Sequence, residues 1–357
     1  MAIFKITANT EDNVHYYQFI TDAAFLTDGE NMTKNSGSQV YAGRQPTRER
    51  IGLVVDGTNA AAAIKTIIAA EAAGVRQIWM AQPPDRPDIL TIFAATAIKT
   101  STVRLGTAIV PTYPRHPLLL AQQALAIYDI APGRLRLGIG PSHRFIIEDM
   151  YGLQQKTPLI HLREYVEILR AALWEGKVNH HGYFYNIIAT LNRTPQIPVL
   201  ISTLGEKAFH LAGQIADGAL SWVCPVSYLL HTGIPTLRAS AAAAGRSAPP
   251  LVAQVSVALS EDKNSILLAG HRRLDFYAKI PFYANMFSKA GFPLTSDQAI
   301  PDTLVCNLVI SGNEATVSAQ FTELMEAGLD ELMVSLVPTT GKVEEEQTRL
   351  MNLIGQL

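Results

Sequence analysis

Cysteine is scarce in this chain of 357 residues, which contains only Cys224 and Cys306, and neither lies in a CxxC motif. Two isolated cysteines cannot build a disulfide framework, and an isolated cysteine is more often a small buried apolar side chain than a reactive thiol. The sequence therefore predicts a protein of a reducing compartment in which both thiols are buried.

An excess of charge of one sign is also lacking, because 29 Lys and Arg residues balance 31 Asp and Glu residues and the formal net charge is -2. Nucleic-acid binding requires a basic face for the phosphates, so we expect no nucleic-acid partner. No apolar run approaches the roughly 18 to 20 residues needed to cross a bilayer, which predicts no membrane partner. The opening MAIFKITANTEDNVHYY lacks the basic-then-apolar pattern of a signal peptide. We therefore expect a cytoplasmic location.

A repeated unit is present from residue 51 onwards, in which a short β-branched run is followed by a turn and an amphipathic helix. Such runs predict eight strands, at 51–55, 75–81, 103–110, 134–140, 197–203, 218–223, 251–259 and 331–337. Eight apolar strands alternating with helices predict a (β/α)8 TIM barrel, whose parallel strands are covered on both faces. An open doubly wound sheet is the alternative, but IGLVVDGTN has only one glycine in its turn where that fold has a glycine-rich motif.

Three stretches depart from the plain barrel. Residues 177–187 indicate a small hairpin, and residues 261–311 form a long insertion between strands seven and eight, predicted to be helical over 262–287. Such an insertion at the active face usually builds a lid or a substrate wall. Residues 1–50 lie outside the pattern and end in a polar, linker-like stretch. The predicted domains are therefore an N-terminal extension, 1–50, and a barrel domain, 51–357, which contains the insertion.

Reactive groups of such a barrel follow the strands at its C-terminal face. The segment Ser202, Thr203, Leu204, Gly205 and Glu206 ends a predicted strand and opens a helix. Hydroxyl groups and backbone N–H groups at a helix N-terminus can bind an anion, which suggests a phosphate-bearing cofactor. Ordinary N-capping by Ser202 or Thr203 is the alternative interpretation.

A single histidine, His143, follows the fourth predicted strand in GIGPSHR. An imidazole at this position can exchange a proton near neutral pH, although a hydrogen-bonded structural histidine is the alternative. No metal site is predicted, because the adjacent His180 and His181 diverge on a strand and lack further ligands. The motifs GxSxG, HExxH and Walker A are missing, so a hydrolase or a nucleoside triphosphatase has little support.

The segment RLGTAIVPTYPRHPLLLAQQALAIYDIAPGRLRLGIGPSH, at 104–143, resembles the luciferase-like monooxygenase superfamily. Within that superfamily the sequence is most similar to actinobacterial deazaflavin (coenzyme F420) oxidoreductases. Further matches occur in order along the chain, at IGLVVDGT, MYGL, HLREYVEILRAAL, LAGQIADGALSW and AGLDELMVSLV. The resemblance covers roughly 51–357.

The resemblance implies a cofactor site. A bulge with a non-prolyl cis peptide, here Ala108–Ile109, would support the deazaflavin ring, and the phosphate turn would fall on the segment 202–206. Pro141 and Ser142, which precede the candidate catalytic His143, would also contact the cofactor. Many relatives carry an Asp-His pair after the second strand, where this chain has Gln82-Pro83. The proton chemistry must therefore come from elsewhere or be unnecessary.

Three functions remain open from the sequence. The first is an F420-dependent oxidoreductase that transfers a hydride between the deazaflavin cofactor and a small organic substrate. The second is an FMN-dependent luciferase-like monooxygenase, and the third, of another class, is a non-catalytic flavin-binding barrel. The resemblance also implies a homodimer. Arg115 and Arg144 are candidates to bind an acidic cofactor tail, and five aromatic residues of the insertion could line the pocket or belong to the core: Phe276, Tyr277, Phe282, Tyr283 and Phe287.

Overall fold

The structure, a computed structural model, describes residues 46–294 and 299–357. Its strands are β1 (Ile51–Val54), β2 (Gln77–Met80), β3 (Arg104–Thr107), β4 (Val110–Pro111), β5 (Leu135–Gly140), β6 (Lys177–His181), β7 (Asn186–Thr190), β8 (Val199–Ser202), β9 (Gly218–Ser221), β10 (Leu251–Ala258), β11 (Val309–Ser311) and β12 (Glu331–Leu336). Eight of these form a closed parallel ring in the order β1, β2, β3, β5, β8, β9, β10 and β12, and β12 pairs with β1. The predicted (β/α)8 barrel is confirmed, and each of the eight predicted strands contains one barrel strand.

The helices surround this ring. They are α1 (Thr47–Arg50), α2 (Ala60–Ala72), α3 (Ile89–Ala97), α4 (Pro117–Ile130), α5 (Pro158–Arg170), α6 (Glu206–Ile215), α7 (Val226–Tyr228), α8 (Ile234–Ala243), α9 (Lys263–Ala278), α10 (Pro281–Lys289), α11 (Asp302–Leu308), α12 (Glu314–Glu326) and α13 (Val343–Gln356), with short π-helical segments at Ile146–Met150, Ala171–Glu175 and Leu229–Gly233. Side-chain caps start several of them. Asn59 accepts a hydrogen bond from Ala62 N at 3.0 Å and Asp88 accepts one from Thr91 N at 2.8 Å, as their residue types favour.

A buried ion pair lies inside the barrel near the start of its strands. Arg136 of β5 donates to Glu331 of β12 at 2.6 Å, and Gln77 of β2 donates to the same carboxylate at 3.0 Å. Burial raises the pKa of the Glu331 carboxyl, but the facing guanidinium and the hydrogen bonds outweigh it and hold that pKa below its ordinary value. The carboxylate is therefore charged and links three strands across the barrel.

The hairpin and the first part of the insertion have the predicted secondary structure. β6 and β7 pair antiparallel, with His181 opposite Asn186. The segment 262–287 is helical, as predicted, since it contains α9 and most of α10. The insertion continues with α11 and with β11, which pairs parallel with β10, and the sequence analysis had assigned neither.

Most of the predicted N-terminal extension, residues 1–45, lies outside the described residues, so the domain boundary stays a prediction. The short helix α1 contacts the barrel. Arg50 donates to the carbonyl oxygens of Leu329 and Asp330, both at 2.7 Å, and Glu49 forms an ion pair with Arg104 at 3.1 Å. These contacts fix the chain just before β1.

The two cysteines differ in environment. Cys224 is buried, as predicted, and burial raises the pKa of its thiol to about 12. The prediction that Cys306 is buried was wrong, because this residue is exposed. α11 packs on the core through Leu304, Val305 and Leu308, which leaves Cys306 on the opposite side of the helix.

Across residues 46–294 and 299–357, the structure contains no helix with both the length and the apolar character needed to cross a membrane.

Candidate active site

The predicted cis peptide is present between Ala108 and Ile109, directly after β3. The backbone around it is held on both sides by hydrogen bonds. Ala108 N donates to the carbonyl oxygen of Met80 at 2.7 Å, and Ile109 O accepts from Gln82 N at 3.2 Å. The chain then continues into β4, which pairs with the end of β5. The bulge is therefore fixed between the second and fourth strands of the barrel.

Gly140, the last residue of β5, marks where the bulge meets the predicted phosphate turn. A Cβ atom on Gly140 would overlap the hydroxyl of Ser202 and would lie 3.3 Å from Cγ1 of Ile109. Ile109 and Ser202 therefore flank the same glycine. The two predicted cofactor segments lie side by side at the C-terminal mouth of the barrel.

The turn at 202–206 leaves the start of α6 open. Gly205 is the N-cap residue, no side chain caps the helix, and nothing lies within 4 Å of the position of a Cβ on Gly205. The hydroxyl of Thr203 donates to Leu220 O at 3.2 Å, so the alternative of capping by Ser202 or Thr203 was wrong. The first N–H groups of a helix have no acceptor within the helix, so those that follow Gly205 can bind an anion.

Two other members of the predicted turn lie at its edge. Leu204 is half-buried against the core, and Glu206 forms an exposed ion pair with Lys289 of α10 at 2.8 Å. Because the Glu206 carboxylate is directed to Lys289, its charge is partly compensated beside the open helix terminus.

His143 lies in the loop after β5, among aromatic rings. Its ring centroid is 5.9 Å from that of Tyr283, 6.1 Å from Phe145 and 6.4 Å from Phe276. Neither imidazole nitrogen has a hydrogen-bond partner among the residues that the structure describes, so the ring is held by aromatic contacts. Burial lowers the pKa of His143 below its ordinary value of 6.5, which makes the imidazole neutral and able to accept a proton at pH 7.

The loop before His143 is held by a residue that the sequence analysis did not identify. Gln155 donates from Nε2 to Pro141 O at 2.8 Å and to Ser142 O at 3.2 Å, and Ser142 has a left-handed backbone with φ of 60°. These bonds fix the position of the loop. Their donor is one polar residue of a long loop, for which a sequence pattern gives no signal.

Arg115 and Arg144, the candidates for an acidic cofactor tail, each have a carboxylate partner. Arg115 pairs with Asp88 at 2.6 Å, and Arg144 pairs with Glu148 at 2.8 Å. Gln82, which follows the second barrel strand, accepts from Ile89 N at 2.8 Å. Gln82 thus supports the start of α3 as well as the bulge.

Four of the five aromatic residues of the insertion have one of the two predicted roles, and Phe282 has neither. Tyr283 and Phe287 are buried in the core, whereas Phe276 and Phe282 are exposed. Phe276 and Tyr277 line a cavity of about 470 Å³ at the mouth of the barrel, beside Val337 and Pro338, which follow β12. The hydroxyl of Tyr277 accepts from Trp222 Nε1 at 2.7 Å, which links the insertion to the sixth barrel strand.

No group of three or more His, Cys, Asp or Glu side chains suited to a metal ion occurs within residues 46–294 and 299–357.

A buried histidine, His161, lies at the start of α5 beside the loop that follows β4. Its ring stacks on Tyr113 at 3.9 Å, its Nδ1 lies 3.3 Å from Thr112 Oγ1, and its Nε2 lies 3.0 Å from the hydroxyl of Tyr185. Burial lowers the pKa of His161 to about 4, although Glu164 acts in the opposite direction. The cluster is enclosed and joins α5 to the hairpin.

This burial predicts a loss of stability in acid. At pH values between about 6.5, the ordinary pKa of histidine, and about 4, His161 is protonated in the unfolded chain but neutral in the folded protein. The free energy of unfolding therefore falls as the pH falls through this range. We expect His161 to account for a fall of about 2 kcal/mol between about pH 6.5 and about pH 4.5. Urea denaturation of the wild type and of His161→Gln at both pH values measures it. The variant should lose about 2 kcal/mol less than the wild type, and the exposed His181→Gln, as a control, should match the wild type. Equal losses in the wild type and His161→Gln would contradict the prediction.

A parallel eight-stranded barrel with a cis-peptide bulge beside an open helix terminus at its mouth is the arrangement that the resemblance to luciferase-like oxidoreductases implied. Residues 43–331, well over half of the chain, match the model of the luciferase-like monooxygenase family. The chain belongs to this family. The predicted resemblance and the predicted oxidoreductase class are thereby confirmed.

Similar proteins include actinobacterial and archaeal ones. An uncharacterized protein of Mycobacterium tuberculosis is 29% identical over 249 residues, which are 65% of this chain and 73% of that protein. The F420-dependent glucose-6-phosphate dehydrogenase of Nocardia farcinica is 26% identical over 275 residues, 72% of this chain and 80% of that enzyme. The structure of the coenzyme F420-dependent tetrahydromethanopterin reductase of Methanopyrus kandleri matches with a TM-score of 0.70 at 20% identity, over 86% of this chain and 97% of that one. The structural match shows the shared fold.

Proposed function

We propose that this protein is a coenzyme F420-dependent oxidoreductase that transfers a hydride between the deazaflavin and a small organic substrate. The observation that carries the proposal is the approach of Ile109 and Ser202 to one glycine, Gly140. This approach brings the bulge and the open start of α6 together, as a cofactor with a ring system and a phosphate requires. The name of the Nocardia farcinica relative, an F420-dependent enzyme, supports the deazaflavin.

The residues present fit such a cofactor. Ala108 and Ile109 would support the ring, and Gly140 lets Ser202 lie close to the bulge, because a Cβ there would overlap Ser202. The segment 202–206 would hold the phosphate through backbone N–H groups and the Ser202 hydroxyl. Pro141 and Ser142 would border the ring on the loop that Gln155 fixes. When bound, the deazaflavin supplies two-electron hydride chemistry.

The chain itself would supply proton transfer and positioning. His143 is neutral at pH 7 because burial lowers its pKa, so it would accept the proton released from a substrate hydroxyl as the hydride leaves the adjacent carbon. The rings of Phe145, Phe276 and Tyr283 surround the imidazole and would limit access of water. These residues favour oxidation of the substrate near neutral pH.

An FMN-dependent monooxygenase is the second candidate, favoured by the description of the matching family. Titration of the purified protein with each cofactor separates the two, and we expect quenching of deazaflavin fluorescence at micromolar protein with no comparable change for FMN. Micromolar binding of FMN without binding of the deazaflavin would reverse the assignment.

A substitution tests the phosphate turn in the same assay. Gly205→Asp would place a carboxylate over the start of α6, where it would cap the free N–H groups and repel a phosphate. We expect deazaflavin affinity to fall about tenfold or more, because charge-assisted hydrogen bonds are lost. Gly341→Asp, at another glycine with open space around it, is the matched control and should bind normally. Equal affinity of the two variants would contradict the placement of the phosphate.

A non-catalytic flavin-binding barrel is the candidate from another class. Turnover of a nitro, enone or imine compound with reduced deazaflavin, or of an alcohol with the oxidised form, would exclude this non-catalytic candidate. A homodimer and a cytoplasmic location stay predictions.

A further inference from the structure

The cavity beside the eighth strand contains a cation without a counter-ion. Arg272 and Arg273 of α9 both line this space of about 470 Å³, and no carboxylate is among its lining residues. Within the described parts of the chain, no Asp or Glu oxygen lies within 4.0 Å of the Arg273 guanidinium, whereas Arg115, Arg136 and Arg144 all pair with acids. The positive charge of Arg273 is therefore available to a ligand.

Arg273 is held by the interior of the barrel. Its Nη2 donates to Ser335 Oγ of β12 at 2.8 Å and its Nε donates to Ser256 Oγ of β10 at 3.3 Å. Both serines are buried and both accept a second hydrogen bond from Gln254, at 2.6 Å for Ser335 and 3.1 Å for Ser256. This network fixes one edge of the guanidinium before any ligand is present.

The remaining donors of Arg273 are directed elsewhere. A guanidinium has five N–H groups, of which the serines accept two, and neither hydrogen of Nη1 has an acceptor among the residues described. Nη1 together with the second hydrogen of Nη2 forms a pair of parallel donors that matches the two oxygens of a carboxylate or a phosphate. Burial also lowers the pKa of this guanidinium, so an anion at this position would relieve a poorly solvated charge.

The cavity is also close to the proposed proton acceptor. Phe276 lines it and lies 6.4 Å from the ring of His143, and the adjacent Tyr277 contacts Tyr283, the other neighbour of His143. A molecule whose anionic group lies at Arg273 would therefore extend along the aromatic wall towards His143. We propose that Arg273 is a substrate-binding residue that holds a phosphate or carboxylate group of the substrate, so that the enzyme acts on small organic anions. That the bound anion is a substrate rests on the proposed function.

The test is a calorimetric titration of the protein with phenyl phosphate, benzoate and neutral benzyl alcohol. We expect an anion to bind more tightly than benzyl alcohol, and the tighter of the two anions identifies the group that the cavity prefers. Arg273→Gln should weaken that binding about tenfold or more, because two charge-assisted hydrogen bonds are lost. Arg273→Lys, which keeps the charge without the paired donors, should give an intermediate affinity and provides a second variant if the glutamine variant fails to fold.

Arg238→Gln is the matched control, because it removes an exposed arginine of α8 that pairs with Asp330 at 3.8 Å, away from the cavity. It should bind the anions like the wild type. Equal binding of benzyl alcohol and both anions, or unchanged anion binding in the Arg273 variants, would overturn the proposal. The titration measures anion binding without any redox step. A failure of deazaflavin binding would refute the proposed function, whereas the anion titration would still test the role of Arg273 separately.

Discussion

Replacing Gly138 with alanine is expected to lower the free energy of unfolding by about 3 kcal/mol, the upper part of the range for an overpacked core. Gly138 is buried in β5, and a Cβ there would overlap the carbonyl oxygen of Thr107 and a methyl group of Leu220. The Thr107 carbonyl belongs to the backbone that leads into the bulge, and Thr107 Oγ1 also donates to Gly138 O at 2.7 Å. The strands therefore cannot separate without losing hydrogen bonds of the ring.

Guanidinium chloride denaturation, followed by tryptophan fluorescence, measures this loss. Gly341→Ala is the control, because nothing lies within 4 Å of a Cβ at that glycine and its backbone is not left-handed. We expect a change of no more than about 0.5 kcal/mol for the control. If Gly138→Ala and Gly341→Ala unfolded at the same denaturant concentration, β3 and β5 would lie farther apart at Gly138 than in the structure.

Removal of the His143 imidazole is expected to lower turnover by about 10²-fold or more, the usual contribution of a positioned acid or base. His143→Ala should leave deazaflavin affinity within about twofold, because none of the segments proposed to hold the ring and the phosphate includes this residue. The measurement is kcat with a substrate found in the turnover screen, together with the cofactor titration. Unchanged turnover with unchanged affinity would show that His143 has a structural role.

The pH dependence provides an independent measure of the same residue. In the direction of substrate oxidation the imidazole must be neutral, so kcat/KM of the wild type should fall as the pH drops below the ordinary histidine value of 6.5. The acid limb should disappear in His143→Ala. If the fall of kcat/KM at low pH persisted in the variant, the group that titrates would be a residue other than His143.

The sequence was a good guide to the barrel because of how its strands are buried. A strand covered on both faces is a short continuous apolar run, so all eight barrel strands could be located to within three residues at each end. Helix α13 was not assigned, although Leu350, Met351, Leu353 and Ile354 bury one face of it. The error over Cys306 has a related cause, since the exposed side of α11 could not be inferred without assigning that helix.

The site was predictable only in part. Resemblance to known proteins located the bulge at Ala108–Ile109, which no pattern of residue types would have indicated. The environment of Arg273 depends on serines of β10 and β12 that are distant in sequence. A signal did exist, because Gln254, Ser256 and Ser335 are polar residues in apolar strands, and such residues in a barrel strand commonly face its interior.

The insertion between the seventh and eighth strands separates two tasks along the chain. The segments proposed to hold the cofactor, 108–109, 140–142 and 202–206, all precede it, whereas Arg273, Phe276 and Tyr277 all belong to one helix within it. Duplicated genes of such a protein could therefore diverge in substrate preference through changes in a single helix, with the redox machinery inherited intact.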